Sequence, residues 1–188
     1  LIIGVTGDIT AEELAPLLDR AFGSLPKSKV LPTIAEAAPR LTGDTYVVEL
    51  DVPQSSIIFG QPGLRRDDAD WYTGLVMNYI LGGGGFSSRL FSEVREKRGL
   101  AYSVGTGLHP MRLSALISGG AGTKNANVAE SLKIIRTEWD RMRTGGVTPD
   151  ELSRAKSYLT GSFPLRLSST DRIARMLVSI QYHDLGID

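Results

Sequence analysis

Two strong hydrogen-bond donors, Arg95 and Tyr102, stand seven residues apart in the most strongly patterned segment of this chain. Arg95 falls near the end of a predicted helix and Tyr102 early in the strand that follows, so the two side chains can converge on one point. A guanidinium donates through a planar fork and a phenol through its hydroxyl. Two such donors suit a carbonyl oxygen that becomes an oxyanion. The alternative for the same residues is a solvated helix arginine and a half-buried strand tyrosine.

Local signals predict the helix that carries Arg95. Ser87 can serve as its N-cap, and Gly99 follows two basic residues at the place where a helix end favours cations and then a left-handed residue. Its apolar residues fall on one face: Leu90, Phe91 and Val94. Residues 100–104 then alternate as a strand does. The sequence therefore predicts a helix that runs directly into a strand.

Residues 87–104 resemble the C-terminal half of the M16 zinc metallopeptidases, the pitrilysin/insulinase type. The shared pattern is SSRLF-x-E-V-R-E-K-x-G-L-A-Y-S-V, and Arg95 and Tyr102 occupy its arginine and tyrosine positions. Shorter matches extend the resemblance over nearly the whole chain: Gly7-Asp8, Gln54–Gly60, and Glu151-Leu152 with Ala155-Lys156. The chain looks most like bacterial members that supply the arginine/tyrosine pair while a separate subunit holds the metal.

The resemblance implies a function for the whole protein. This chain would be the substrate-binding half, or the non-metal subunit, of a zinc endopeptidase that hydrolyses peptides. Arg95 and Tyr102 would hold the scissile carbonyl and stabilise its oxyanion, while an H-x-x-E-H half binds the zinc. We expect no peptidase activity from this chain alone. The alternative is a non-catalytic interaction or scaffold subunit of the same fold, which has no need of both donors at this spacing.

Zinc is expected in the complete enzyme with no ligands from this chain. H-x-x-E-H is absent, and the two histidines, His109 and His183, have no histidine or glutamate at ligand spacing beside them. Both are interpreted as ordinary structural residues. The four glycines at 82–85 lack the Gly-Lys-Ser/Thr ending of a phosphate-binding loop, and are interpreted as a helix stop and a tight turn.

Composition limits the kinds of partner and the compartment that we expect for this chain. The chain has 21 basic and 21 acidic residues and no basic stripe, so we expect no nucleic acid. No apolar run approaches the ~18 residues of a membrane span. Cysteine is absent, which removes disulfide and thiolate chemistry and fits the bacterial cytoplasm or periplasm, of which we favour the periplasm.

Groups of strands followed by groups of helices predict an α+β fold, with helices packed on one face of a mainly antiparallel sheet. The resemblance implies the M16 peptidase-like, LuxS/metallohydrolase-like half. We assign residues 1–23 to the closing strand and helix of a preceding domain, 24–44 to a linker, and 45–188 to an M16 C-terminal-type domain that we expect to continue further. The predicted strands are Leu1–Val5, Thr45–Leu50, Gln54–Gly60, and a hairpin of Ala101–His109 and Leu113–Ser118 that turns at Pro110. Two predicted helices begin at capping boxes, Thr10 with Glu13 and Thr148 with Glu151. Two more begin at the caps Asp67 or Asp68 and Ser169 or Thr170, and a further long helix is predicted over Val128–Met142.

Overall fold

The computed structural model describes residues 1–26 and 32–186. The chain separates into two compact units, which we call the central unit (Glu36–Thr160) and the terminal unit (Leu1–Ala35 with Gly161–Asp188). The predicted boundaries at 23, 24–44 and 45–188 stay a prediction. Residues 27–31 of the predicted linker and the last two residues lie outside the described ranges.

A three-stranded sheet forms the centre of the central unit. Strands β1 (Gln54–Pro62), β2 (Ala101–Met111) and β3 (Ser114–Lys124) lie in the order β1-β3-β2, and both pairs are antiparallel. The predicted β2–β3 hairpin is confirmed, but its turn falls at residues 112–113. Pro110 instead pairs with Ala115 inside the ladder. It is tolerated because β2 is an edge strand, where a missing N–H can face away from the neighbouring strand.

Helical segments pack against one face of this sheet. They are α2 (Trp71–Asn78), a π-helical turn (Tyr79–Gly83), a 3-10 turn (Gly85–Ser87), the π-helical stretch Phe91–Glu96, α3 (Val128–Gly145) and α4 (Pro149–Gly161). The buried core joins the π-helical turn, residues 90–94 and α3 to strands β2 and β3 through Leu81, Leu90, Val94, Leu100, Ala101, Val104, Ala121 and Ile135. On the opposite face Ile58 of β1 is 84% exposed. The α+β class with helices on one sheet face is therefore confirmed.

The terminal unit contains α1 (Ala11–Phe22), a 3-10 turn (Phe163–Leu167) and α5 (Thr170–Tyr182). The predicted capping box of α1 is present, because Thr10 Oγ1 accepts from Glu13 N–H and the Glu13 carboxylate accepts from Thr10 N–H. Neither α1 nor α5 buries a residue. The Thr6 hydroxyl donates to the Thr170 carbonyl at 2.6 Å.

Two predicted strands are wrong. Residues 1–5 and 45–50 form no ladder with any strand in the described ranges, and Tyr46, Val47 and Val48 are at least 78% exposed. A strand needs a neighbour for its N–H and C=O groups, and apolar composition alone does not provide one. The predicted cap of α2 is also displaced: Asp68 accepts from the Asp70 N–H in a local turn, and Asp70 precedes the helix.

No helix in the described ranges is long and apolar enough to cross a membrane.

Candidate functional site

Residues 89–96, which we call the Arg95 helix, are anchored at their N-terminal end by Ser88. Its hydroxyl accepts from the Phe91 N–H at 3.4 Å and donates to the Gly85 carbonyl at 2.8 Å. The N-cap is therefore Ser88 and not the predicted Ser87, because Ser87 belongs to the preceding 3-10 turn. The predicted apolar face is confirmed, since Leu90, Phe91 and Val94 are all buried.

The C-terminal end of the Arg95 helix is wound more widely than an α-helix. The Lys97 N–H donates to Ser92 C=O, five residues back, at 3.0 Å. The Gly99 N–H then bonds to Arg95 C=O and the Leu100 N–H to Val94 C=O, which closes the helix around Gly99 at φ +60°. This is the left-handed conformation that the sequence predicted for a glycine here. The chain enters β2 immediately afterwards.

A β-bulge at the start of β2 determines the direction of Tyr102. Ala101 pairs with Thr123 and Ser103 with Gly122, so Tyr102 is an extra residue without a partner across the ladder. Consequently Tyr102 and Ser103 are both exposed, between buried Ala101 and Val104. The strict alternation predicted for residues 100–104 is wrong at this point. The bulge presents Tyr102 outward, with its side chain 79% exposed.

Arg95 contacts Tyr102 through the face of the aromatic ring, and the convergence of their donor groups on one carbonyl oxygen stays a prediction. The guanidinium carbon of Arg95 lies 5.3 Å from the centre of the Tyr102 ring and 4.8 Å from that of Phe91. Phe91 is four residues before Arg95 and so lies on the same face of the helix. Both distances are within the range of cation–π attraction. The two aromatic rings therefore orient the guanidinium while its N–H groups remain available to a ligand.

Neighbouring cations of this segment are already paired. Glu93 accepts from Lys97 Nζ at 2.5 Å and from Arg98 Nη1 at 2.6 Å, and these bonds, that to Lys97 above all, lower the pKa of its carboxyl. In the part of the chain that the structure describes, Arg95 has no carboxylate within salt-bridge distance. Arg95 is thus distinguished from the basic residues beside it.

A second ion pair holds the Arg95 helix to the start of α4. Arg89 Nε and Nη2 contact the two Glu151 oxygens at 2.6 and 2.7 Å, and Nη2 also donates to Gly146 C=O at 2.9 Å. Glu151 belongs to the predicted capping box, which is confirmed. Its carboxylate accepts a hydrogen bond from the Thr148 N–H, and the Thr148 hydroxyl accepts one from the Glu151 N–H. The bond from Arg89 is the main cause that lowers the pKa of Glu151 to about 2.

Several parts of this site were not predicted from the sequence. Phe86, 76% exposed, packs edge-on against Phe91 with ring centres 4.7 Å apart and so extends the aromatic contacts of Arg95. The four-residue spacing of Phe91 and Arg95 was a usable signal. The Arg89–Glu151 pair gave no signal in the sequence, because the two residues are 62 positions apart.

The described residues do not fit a zinc site. No group of three histidine, cysteine, aspartate or glutamate side chains within residues 1–26 and 32–186 is close enough to hold a metal ion. His109 Nε2 lies 2.9 Å from Ser118 Oγ across the β2–β3 hairpin, and the His183 ring packs edge-on against Tyr182. Arg95 and Tyr102 are both hydrogen-bond donors at this surface.

Known proteins with similar sequences belong to one family. Residues 1–159 match the model of the peptidase M16 inactive domain. The chain is 38% identical over 177 residues to an uncharacterized zinc protease of Streptomyces coelicolor, covering 90% of this chain and 38% of that protein. It is 30% identical over 191 residues to the non-peptidase homolog YmxG of Helicobacter pylori, covering 100% of this chain and 43% of that protein.

A solved structure gives the same result. The crystal structure of a peptidase M16 inactive domain from Pseudomonas fluorescens superimposes with a TM-score of 0.78 at 30% identity, over 96% of this chain and 43% of that one. The chain thus spans less than half of the length of the curated relatives it matches. These matches show that the chain belongs to the M16 peptidase family, as a C-terminal domain of the kind described as inactive.

Proposed function

We propose that this chain is the substrate-holding half of an M16 zinc endopeptidase, in which Arg95 and Tyr102 bind the carbonyl oxygen of the scissile peptide bond. One observation carries the proposal: the Arg95 guanidinium lies 5.3 Å from the Tyr102 ring centre with no carboxylate partner in the described ranges. A surface arginine used only for stability would gain from a nearby carboxylate, and three neighbours of this helix have one: Arg89, Lys97 and Arg98.

The proposed chemistry is differential hydrogen bonding. When water adds to the carbonyl carbon, its oxygen acquires negative charge, and the Arg95 N–H and Tyr102 O–H groups donate to that charge more strongly than to the neutral carbonyl. Stacking on Phe91 and Tyr102 fixes the guanidinium in advance. A zinc held by an H-x-x-E-H half or subunit would supply the activated water.

Exposure of the site supports a partner that covers it. Tyr102 is 79% exposed, and in water a neutral hydrogen bond is worth only about 0.5–1.5 kcal/mol. Donors become effective in a water-excluded site. A second half that closes over Arg95 and Tyr102 with a peptide between them would supply that environment.

Kinetics of the complete zinc-containing protein or complex test the proposal. We expect Arg95→Ala and Tyr102→Phe each to lower kcat/KM by about a hundredfold, the effect typical of a lost oxyanion donor. Arg66 is the matched control, because its guanidinium is also stacked on two aromatic rings, at 5.0 Å from Trp71 and 5.3 Å from Tyr72. Arg66→Ala and Tyr72→Phe should stay near the wild-type value.

The alternative is a non-catalytic scaffold subunit, and the name of the Helicobacter pylori relative as a non-peptidase homolog keeps it open. The same variants separate the two functions. If Arg95→Ala and Tyr102→Phe leave peptide hydrolysis at the wild-type rate while the complex still assembles, the catalytic proposal is wrong and the scaffold function stands.

A further inference from the structure

Phe86 is a large apolar side chain held in a solvent-exposed position beside Arg95. The residue is 76% exposed, yet its ring contacts Phe91 edge-on at 4.7 Å between ring centres. Phe91 in turn carries the Arg95 guanidinium at 4.8 Å. Phe86, Phe91, Arg95 and Tyr102 thus form one continuous row of groups in contact, which we call the aromatic row. Phe86 is one exposed end of the row and Tyr102 is the other.

The backbone beneath Phe86 is fixed by hydrogen bonds. The Gly84 N–H donates to Tyr79 C=O at 2.8 Å, the Ser87 N–H to Gly84 C=O at 3.2 Å, and the Ser88 N–H to Gly85 C=O at 3.1 Å. Gly85 has φ +55°, a conformation that a side chain would strain. The glycine turn therefore presents Phe86 at a defined place next to the donors.

We propose that Phe86 selects peptides with a bulky apolar side chain adjacent to the scissile bond, by packing that side chain against its exposed ring. This proposal rests on the proposed function of Arg95 and Tyr102. A carbonyl bound at Arg95 places the side chains of its neighbouring residues within reach of the aromatic row. Coverage of an exposed phenylalanine removes apolar surface from water, and ring–ring contact adds to that gain.

The test uses the complete zinc-containing protein or complex and pairs of fluorogenic peptides that differ only in Phe or Ala at one position. The substituted position is the residue before the scissile bond in one pair and the residue after it in the other. We expect the wild-type protein to prefer the Phe peptide of one pair by about tenfold in kcat/KM. In Phe86→Ala this ratio should fall to about one.

Phe86→Leu is a second variant that controls for disruption of the turn in Phe86→Ala. It keeps an apolar side chain at this position and should give an intermediate Phe/Ala ratio. Tyr72→Ala is the matched control: Tyr72 is an aromatic residue, 66% exposed, in the first turn of α2. Its ratio should equal that of the wild-type protein. Thermal melting of each variant shows whether the fold is kept.

Two failures are distinguishable in the same assays. If Arg95→Ala lowers kcat/KM for both peptides of each pair while Phe86→Ala leaves the Phe/Ala ratio unchanged, Phe86 has no role in selection and the proposed function stands. If Arg95→Ala lowers neither, the proposed function itself fails. A wild-type protein without preference at either position also overturns the role of Phe86.

Discussion

At the scale of single residues, two flat rings orient Arg95, whereas the single carboxylate of Glu93 orients the neighbouring Lys97 and Arg98. Stacking uses the face of the guanidinium and leaves its edge, where all the N–H groups are, available for a ligand. A carboxylate partner would occupy that edge and offset the positive charge. The stacked arrangement therefore suits a residue that binds a polar group supplied from outside the chain.

Arg95→Lys tests this orientation, because it keeps the positive charge and removes the planar face. An ammonium group cannot stack as a guanidinium does, and a stacked arginine is not replaced conservatively by lysine. We expect kcat/KM of the complete enzyme to fall at least tenfold with an unchanged melting temperature. Arg66→Lys is the control. Equal activity of Arg95→Lys and the wild-type protein would show that charge alone is sufficient.

Gly99 is favoured by its backbone conformation, because its φ is +60°. No atom lies within 4 Å of the position that a Cβ would take, so a side chain there would cost conformational strain and no steric clash. Gly99→Ala should destabilise the chain by about 1 kcal/mol, the cost of a left-handed residue with a side chain. Gly145 is equally open and has no positive φ, so Gly145→Ala should be neutral or slightly stabilising. Urea unfolding of both variants measures the contrast, and equal free energies of unfolding would contradict it.

At the scale of elements, the Arg89–Glu151 pair joins the first turn of the Arg95 helix to the first turn of α4. Its side chains are only 11% and 20% exposed, and the contact is bidentate. One carboxylate therefore serves as helix cap, partner of Arg89 and anchor for the helix that carries Arg95. Loss of it would leave a largely buried guanidinium unpaired.

The pair also predicts a pH dependence. The pKa of Glu151 is lowered from 4.5 to about 2, so its stabilisation is complete above pH 4.5 and is lost as the pH falls from there toward 2. We expect Glu151→Gln to cost about 2–3 kcal/mol of unfolding free energy at pH 7 and less than about 1 kcal/mol at pH 3. Urea unfolding at both pH values provides the numbers.

Asp150→Asn is the control for that experiment. Its carboxylate pairs with Arg154 one turn along the same helix, but both side chains are more than 70% exposed. Surface pairs of this kind contribute a few tenths of a kcal/mol. A Glu151→Gln cost that is the same at pH 7 and pH 3 would mean that the charge of Glu151 does not contribute to stability.

Sequence predicted those elements whose signals are local. The capping boxes at Thr10 and Thr148, the glycine after the Arg95 helix and the β2–β3 hairpin all appear in the structure. The predicted strand at 45–50 is wrong because a strand needs a partner strand, and the local sequence does not show which segment that partner would be. The bulge at Tyr102 was not predictable for the same reason: it exists only in the register of β2 against β3. The approach of Arg95 to Tyr102 followed from the helix-to-strand pattern, whereas the cation–π contact of Arg95 with Phe91 did not.

At the scale of the whole molecule, the buried core belongs to one unit. Every member of the core cluster lies between Leu81 and Ile135, inside the central unit. The helices α1 and α5 of the terminal unit bury no residue, although each has apolar side chains on one side. Stability of the central unit should therefore depend little on residues 1–35.

A chain of residues 36–160 tests that division directly. Both tryptophans, Trp71 and Trp139, lie in the central unit, so their fluorescence reports its unfolding alone in long and short chains alike. We expect the short chain to unfold cooperatively in urea, with a midpoint close to that of the tryptophan transition in the full chain, because it retains the complete core cluster. A deletion of residues 1–40 should behave in the same way apart from the loss of two contacts of the central unit: the surface pair of Glu36 with Arg65, and the hydrogen bond from the Ala37 N–H to Leu113 C=O. A gradual, non-cooperative fluorescence change in the short chain would show that residues outside 36–160 complete the core, and would place the domain boundary elsewhere.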